Sequence, residues 1–330
     1  MHTNKTFRWA VILLLLASIG LSGCASQKKP IRIAISAWAG VEPAELAAQL
    51  GYYEKYGVDV ELVRFSAYSD SLEALRDENV DGGMHTLDDS LRNMAAGRDV
   101  RVVLLTDYSF GGDGLVARAG IENLSDLRGT KIGVEIGTVG HLSALKILEK
   151  AGVAVSDVTF ISIPAWEIQQ AMIDGQIDAG VTWEPYLTST AEMIGGKVLI
   201  TSREYPETIV TTMTFNAKLI DARPDDVQKI VAAYFDAVEY IKQNPQEAYT
   251  IMGKAEGISA EEFSTHVMGI RYLDLSSNAE LFGVNSDGRV YAAAQEISVF
   301  LAENNVITTM PDVQQMLEPT FVLTLFKDGQ

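Results

Sequence analysis

Residues 31–65 read IRIAISAWAGVEPAELAAQLGYYEKYGVDVELVRF and contain the pattern that decides the fold. The branched run 31–35 is typical of a short strand, residues 42–50 have helical composition, and residues 58–65 favour a second strand. Two consecutive strands that are joined through a helix usually run parallel in one sheet. The stretch therefore predicts a βαβ unit and an α/β protein.

The same alternation continues to about residue 182, and the character of the chain changes after residue 223. Further helices are predicted at 71–76 and 139–151, and further strands at 100–105, 131–134, 159–163 and 179–182. From residue 224 the pattern favours long helices, at 224–244 and 291–304, with no strand between them.

An internal similarity links two of these units. Residues 78–86 (ENVDGGMHT) resemble residues 174–182 (DGQIDAGVT), and both predict a helix, a tight turn and a short strand. Such units recur in any α/β protein, so the similarity gives only weak support for two lobes of similar build.

Composition excludes several classes of function. The chain has 330 residues, enough for two domains, and 26 basic against 44 acidic residues give a net charge of -18. Because a surface with this much negative charge repels phosphate backbones, nucleic acid is not an expected partner. One cysteine rules out a disulfide framework and Cys-rich metal sites, and the four histidines are not paired at ligand spacing. We expect neither a metal nor a cofactor.

The N-terminus is predicted to be a targeting segment. Lys5 and Arg8 precede an uncharged apolar run, 9–21, that is too short to cross a bilayer. Residues 21–24 (LSGC) resemble the lipobox of bacterial lipoproteins, in which cleavage before the cysteine leaves that residue acylated. The resemblance implies a signal peptide at 1–23, lipid attachment at Cys24, a tether at 24–30 and a location outside the cytoplasm.

Motifs of common enzymes are absent. There is no G-x-x-x-x-G-K-[ST] phosphate loop and no G-x-S-x-G nucleophile elbow. Residues 112–117 (GDGLVA) match G-x-G-x-x-A, but a strand-like run follows where a dinucleotide site needs a helix. We interpret the segment as a loop, and we expect no catalytic residues.

Polar and aromatic residues follow the predicted strands, where open α/β sheets bind small molecules. Aromatic side chains supply flat walls, and hydroxyls with free N–H groups suit anions. Structural roles are the alternative. Thr86 and Thr138 would then be helix caps, Trp38 and Trp183 would be core residues, and His141 would be a solvated or capping residue. The candidate ligand-binding residues are Trp38, Ser66, Tyr68, Thr86, Asp107, Tyr108, Gly137, Thr138, His141, Trp183 and Glu184.

Three segments carry a family resemblance. Residues 51–62 (GYYEKYGVDVEL), 124–134 (LSDLRGTKIGV) and 181–185 (VTWEP) resemble the nitrate/sulfonate/taurine-type and thiamine-pyrimidine-type (NMT-like) substrate-binding proteins of ABC importers. The resemblance covers nearly all of 31–330. It implies a type II periplasmic-binding-protein fold, α/β in class, with two lobes joined by two crossover segments. On this chain the lobes would be 31–117 plus 210–330, and 118–209.

The function implied is capture of a small polar molecule between the lobes and its delivery to a membrane permease by a monomeric receptor. Glycine and threonine at 137–138 favour an anionic group, whereas Asp107 and Glu184 favour an amine. A sulfonate-like or nitrate-like anion, a zwitterion and an amino-heterocycle therefore all stay open. A sensor that signals to a membrane receptor is one alternative. A pyrimidine-synthase-like enzyme is another, but it would use a cysteine-rich motif that this chain lacks.

Overall fold

The computed structural model describes residues 29–286 and 288–329. The predicted signal peptide, the lipid attachment at Cys24 and most of the tether lie outside the described residues. Within the described ranges, none of the helices combines the length and the apolarity that a membrane crossing needs.

The first sheet has six strands, and the predicted βαβ unit forms one edge of it. Strand β1 pairs in parallel with β2 on one side and with β3 on the other. Strand β10 runs antiparallel between β3 and β4, and β11 pairs antiparallel with β4 at the edge. The strands, in spatial order, are β11 (Ile270–Tyr272), β4 (Val100–Ser109), β10 (Val210–Asn216), β3 (Gly82–Thr86), β1 (Ile31–Ile35) and β2 (Val60–Arg64).

The second sheet repeats this arrangement with five strands. Strand β6 pairs in parallel with β7 and β8, and β5 runs antiparallel between β8 and β9. The spatial order is β7 (Thr159–Ser162), β6 (Lys131–Val134), β8 (Ala179–Trp183), β5 (Asp113–Ala117) and β9 (Lys197–Thr201). Strands β3 and β8, into which the similar segments 78–86 and 174–182 lead, occupy equivalent places in the two sheets.

The chain passes twice between the sheets, which confirms the predicted architecture of two α/β halves with two crossovers. The first crossover lies between Ser109 and Asp113, and the second lies between Thr201 and Val210. Strand β5 pairs in the second sheet, so the division differs from the predicted one at residue 117, which had put this strand in the first lobe.

Helices cover the sheets and form the C-terminal part. Those within the first 222 residues are α1 (Glu42–Gln49), α2 (Tyr52–Tyr56), α3 (Tyr68–Arg76), α4 (Leu87–Ala95), α5 (Val139–Ala151), α6 (Ile168–Ile173), α7 (Tyr186–Ile194) and α8 (Ala217–Ala222). Those that follow are α9 (Pro224–Gln243), α10 (Pro245–Glu256), α11 (Ala260–Val267), α12 (Leu275–Leu281), α13 (Arg289–Glu303), α14 (Val313–Met316) and α15 (Thr320–Asp328).

Apolar cores stabilise both sheets. The largest core surrounds the first sheet and contains the fully buried Phe215, Tyr234 and Phe263. Leu142 and Leu145 of α5 belong to this core, although α5 follows a strand of the second sheet. The two halves are therefore packed against each other through this helix.

Two sequence predictions about strands need correction. The strand predicted at 100–105 extends to Ser109, because β10 pairs with it as far as Tyr108 and β11 adds pairs at the same end. The C-terminal part also holds a strand, β11, where none was predicted. Three residues are too short for a periodic signal, and β11 forms only because the edge of β4 is available for pairing.

Candidate functional site

A cavity of about 30 Å³ lies where the ends of the two sheets meet. The segment after β1 and the last residue of β3 come from the first sheet, and the last residue of β8 and the first of β5 come from the second. This is the carboxyl edge of the parallel strands, as expected for an α/β sheet. The cavity is lined by Ser36, Ala37, Trp38, Val41, Tyr68, Met84, Thr86, Asp113, Val139, Trp183, Ile209 and Thr211.

Three aromatic side chains form much of its wall, so the structure brings the candidate residues Trp38, Tyr68 and Trp183 together at this cavity. Tyr68 contacts Trp183 edge to face, with 5.9 Å between the ring centroids and 67° between the planes. Tyr68 begins α3, next to the first sheet, and Trp183 ends β8 of the second. The contact therefore crosses the cleft between the two sheets.

Trp38 is held by a buried carboxylate. Its Nε1 donates to Asp107 Oδ1 at 3.0 Å, and Thr106 Oγ1 donates to Asp107 Oδ2 at 2.8 Å. Burial raises the pKa of Asp107 to about 6, and hydrogen bonds from Thr106, Trp38 and Thr211 oppose that rise. Asp107 lies within β4 and not after its end. It positions Trp38 through the hydrogen bond to Nε1, and it does not line the cavity itself.

Glycines make room for this indole. A Cβ added at Gly40 would lie 2.0 Å from Asp107 Oδ2 and 2.4 Å from Trp38 Nε1. A Cβ added at Gly112 would lie 2.7 Å from the Trp38 ring. The backbone therefore packs directly on the Trp38–Asp107 pair from two directions, and larger residues at either position would displace it.

Asp113 is a lining residue that the sequence analysis missed. It is 4% exposed, and its Oδ2 has no hydrogen-bond partner among the described residues. Burial raises the pKa of Asp113 to about 7, Ser109 opposes the rise, and the carboxylates of Asp107, Glu184 and Asp88 add to it. Trp183 of β8 lies opposite Asp113 of β5 in the antiparallel pairing of the two strands. The Nε1 of Trp183 is also buried and has no hydrogen-bond partner among the described residues.

A buried charged network holds Tyr68 and Thr86 in place. Thr86 and Asp89 form the predicted capping box of α4, and Thr86 Oγ1 donates to Asp89 Oδ2 at 2.6 Å. Tyr68 also donates to Asp89, and Arg92 forms ion pairs with both Asp88 and Asp89. The two aspartates keep the pKa of Arg92 raised despite its burial. The charge of Arg92 is thus balanced within the network.

The start of α5 contributes Val139 to the cavity. Thr138 caps the helix, since its Oγ1 accepts from Gly140 N at 3.2 Å and donates to the Glu135 carbonyl at 2.7 Å. Gly137 is an exposed turn residue with a φ of 84°. His141 packs edge to face on Phe160, and burial lowers its pKa. The structure therefore does not bring Gly137, Thr138 or His141 to the cavity wall.

Three further candidates lie away from this cavity. Ser66 is exposed. Tyr108 lies inside β4 and lines a separate cavity of about 200 Å³. Glu184 accepts from the backbone N–H of Thr188 at 3.2 Å, which places its carboxylate at the start of α7. Their roles in binding stay predictions.

The sequence offered one signal for the missed Asp113. It stands in GDG at 112–114, within the segment 112–117 that the sequence analysis interprets as a loop. That interpretation is wrong, because β5 begins at Asp113 and pairs with β8 and β9 as far as Ala117. Ser36, Met84 and Thr211 were missed as well. Met84 and Thr211 lie inside strands of the first sheet, where pattern alone predicts a core role.

Across residues 29–286 and 288–329 there is no cluster of three His, Cys, Asp or Glu side chains that could hold a metal ion. What the cavity provides is aromatic surface, one buried carboxylate and an indole N–H, a set suited to holding a small molecule.

Comparisons with known proteins agree with this architecture. The chain is 24% identical over 318 residues to an aliphatic sulfonates-binding protein of Bacillus subtilis, covering 94% of this chain and 93% of that one. The crystal structure of the periplasmic nitrate-binding protein NrtA from Synechocystis PCC 6803 superposes with a TM-score of 0.74, at 13% identity, over 92% and 89% of the chains. That likeness establishes the periplasmic-binding-protein fold.

An enzyme shows a shorter similarity. The 4-amino-5-hydroxymethyl-2-methylpyrimidine phosphate synthase of Aspergillus parasiticus is 26% identical over 230 residues, or 63% of this chain and 64% of that one. The sequence model described as NMT1/THI5 like matches residues 40–248, more than half of the protein. The chain therefore belongs to the NMT1/THI5-like family.

Proposed function

We propose that this protein is the extracytoplasmic solute-binding component of an ABC importer. The observation that carries the proposal is the cavity between the two sheets, where Asp113 Oδ2 and Trp183 Nε1 are buried and have no hydrogen-bond partner within the described part of the chain. An unpaired buried polar group costs about 1–3 kcal/mol, so a bound molecule that pairs with these atoms is stabilised there. The full-length similarity to a sulfonates-binding protein supports the same function.

Capture proceeds through closure of two lobes. The first lobe comprises residues 31–109 and 210–330, around the six-stranded sheet, and the second comprises 113–201. The segments 110–112 and 202–209 act as the hinge, because the chain crosses between the sheets only there. A ligand favours closure by the difference between its affinities for the closed and open forms.

The receptor is anchored through an acylated Cys24 and works as a monomer. Residues 25–30 tether it so that the closed form reaches a permease in the membrane. Its ligand is a small polar molecule: a sulfonate-like or nitrate-like anion, a zwitterion or an amino-heterocycle. A sensor would bind its solute in the same way and would differ only in the membrane protein that it contacts.

Catalysis is not part of the proposal. The pyrimidine synthases of the family resemblance imply a cysteine-rich motif, and the single cysteine of this chain is the proposed lipid site.

The experiment begins with whatever the protein binds in its own cell. The full-length chain is purified under native conditions, and native mass spectrometry looks for a bound small molecule. The molecule is released by denaturation, identified, and titrated back in a calorimeter. A gene-deletion strain is then grown with that compound as the required nutrient.

We expect a one-to-one complex, tight binding, and loss of growth in the deletion strain. Normal growth together with loss of a response to the compound would show a sensor. Chemical conversion of the compound by the purified protein would show an enzyme. A protein that purifies empty and binds none of the three ligand classes would contradict solute capture.

A further inference from the structure

We propose that the cavity holds the positively charged head group of an ammonium-bearing solute, with Asp113 as the counter-charge and Trp38, Tyr68 and Trp183 as the aromatic wall. The inference rests on the proposed function of solute capture and assigns its ligand class. It goes beyond the family resemblance, which leaves anions, zwitterions and amino-heterocycles open.

The charges around the cavity favour a cation. In the described part of the chain, Asp113 is the one charged side chain among the lining residues, and no lysine, arginine or histidine lines the cavity. Asp113 is 4% exposed, and its Oδ2 has no hydrogen-bond partner in residues 29–286 and 288–329. A buried carboxylate gains most when a positively charged donor pairs with it.

The aromatic rings favour the same class of ligand. The face of an indole or a phenol ring attracts ammonium groups, most strongly where water is excluded. Trp38, Tyr68 and Trp183 all line the cavity, and Tyr68 lies edge to face on Trp183. The Trp38 N–H is already engaged by the buried Asp107, so this tryptophan offers its ring, and not its donor, to a ligand.

An anion would find little compensation here. Arg92 is buried nearby, but it pairs with Asp88 and Asp89 and carries no excess charge toward the cavity. The Thr138 hydroxyl at the start of α5 is used within its own turn. A sulfonate or nitrate would instead lie next to the Asp113 carboxylate, and like charges at that distance repel.

The size of the cavity limits the head group. About 30 Å³ is space for one or a few water molecules. A primary ammonium fits the cavity as it stands, whereas a trimethylammonium group requires the lobes to separate slightly. The rest of the solute extends along the cleft between the sheets.

The test compares probes that differ in charge and little else. Ethanolamine is paired with 1-propanol, and choline with 3,3-dimethylbutan-1-ol, each neutral partner having nearly the same shape. Sodium nitrate and sodium methanesulfonate represent the anions. Thermal unfolding of the full-length protein is measured against probe concentration at constant ionic strength, and any stabilising probe is then titrated in a calorimeter.

We expect at least one ammonium probe to raise the Tm and its neutral partner to leave the Tm unchanged. Asp113→Asn should weaken binding of that probe at least about thirtyfold, because a buried charge pair loses one member. Trp183→Leu should weaken it about fivefold. The control is Asp221→Asn, which removes an exposed carboxylate from α8 and should leave affinity unchanged.

Two outcomes would overturn the proposal. One is stabilisation by nitrate or methanesulfonate that persists in the Asp113→Asn variant, because asparagine lacks the carboxylate charge and its amide can donate a hydrogen bond to an anion. The other is the absence of stabilisation by both ammonium probes. In either case, an anionic or neutral solute that co-purifies in a one-to-one complex would still support solute capture. The two proposals can therefore be contradicted independently.

Discussion

Glu135 accepts a hydrogen bond from the backbone N–H of Ser69, with 3.1 Å between Ser69 N and Glu135 Oε1. Ser69 lies in α3 beside the first sheet, and Glu135 directly follows β6 of the second. Glu135 is 6% exposed, and its Oε2 has no hydrogen-bond partner among the described residues. The bond thus ties the two halves of the protein together at one side of the cavity.

Removal of this tie should favour the open form. Glu135→Ala loses a charge-assisted hydrogen bond worth about 1.5–3 kcal/mol, so affinity for the co-purified solute should fall about tenfold or more. Small-angle scattering of the ligand-free variant should give a larger radius of gyration than wild type. Glu192→Ala removes an exposed carboxylate from α7 and serves as the control. Unchanged affinity and radius in Glu135→Ala would show that the bond does not stabilise closure.

Gly40→Ala should disturb the Trp38–Asp107 pair. The added methyl would overlap with both side chains, which must move apart, and overpacking of this kind costs about 1–3 kcal/mol. We expect a lower Tm and weaker binding of the solute. Gly140→Ala is the matched control, because its nearest neighbours would lie at 3.5 Å and alanine favours the helix. Equal Tm values for Gly40→Ala and wild type would contradict the packing described here.

Ligand binding should change tryptophan fluorescence. Trp38 and Trp183 line the cavity, so a bound solute alters the surroundings of both rings. We expect Trp183→Phe to remove much of the signal change and to weaken binding. Trp166 is 48% exposed, and Trp166→Phe should keep the full change. The opposite pattern, with the signal lost in Trp166→Phe only, would place the ligand elsewhere.

Asp113 should make stability depend on pH. Burial raises its pKa from 3.8 to about 7, so between these values the folded protein holds a proton that the unfolded chain releases. Its contribution to the free energy of unfolding therefore falls as pH rises from about 4 to about 7, by at most about 1.4 kcal/mol per pH unit. Asp113→Asn removes this contribution.

Urea unfolding of wild type and of Asp113→Asn at pH 4.5 and pH 7.5 measures the contribution of Asp113 to the free energy of unfolding. The stability of wild type relative to Asp113→Asn should be greater at pH 4.5 than at pH 7.5. Other buried groups, including Asp107 and Asp88, titrate in both proteins and cancel in the difference. A constant difference between the two pH values would show that Asp113 titrates near its ordinary value.

Cys24 should determine the location of the protein. Cys24→Ser removes the predicted acylation site, so the protein should leave the membrane fraction and keep its signal segment. A single acyl chain anchors only marginally, and we expect more than one on the mature N-terminus. Mass spectrometry of the N-terminal peptide and fractionation of cells check both points. An unchanged membrane fraction for Cys24→Ser would argue for another anchor.

Much of the fold could be predicted from local pattern. The βαβ unit at 31–65, the helix Val139–Ala151 and the strand Lys131–Val134 were all recognised, because hydrophobic periodicity is a property of neighbouring residues. The capping box of Thr86 with Asp89 was visible for the same reason, since both members lie within one helical turn. The family resemblance then implied two lobes.

The sequence by itself determined the α/β class and the aromatic residues that follow the strands, and the family resemblance implied the two crossovers. Only the tertiary structure decided which polar groups remain unpaired there. Asp107 and Asp113 are both aspartates near strand ends, but Asp107 is satisfied by its neighbour Thr106 and by Trp38, which follows β1 of the first sheet. Asp113 faces the cavity because β5 pairs with β8 in the second sheet. Such pairing joins residues far apart in the chain, and local pattern carries no information about it.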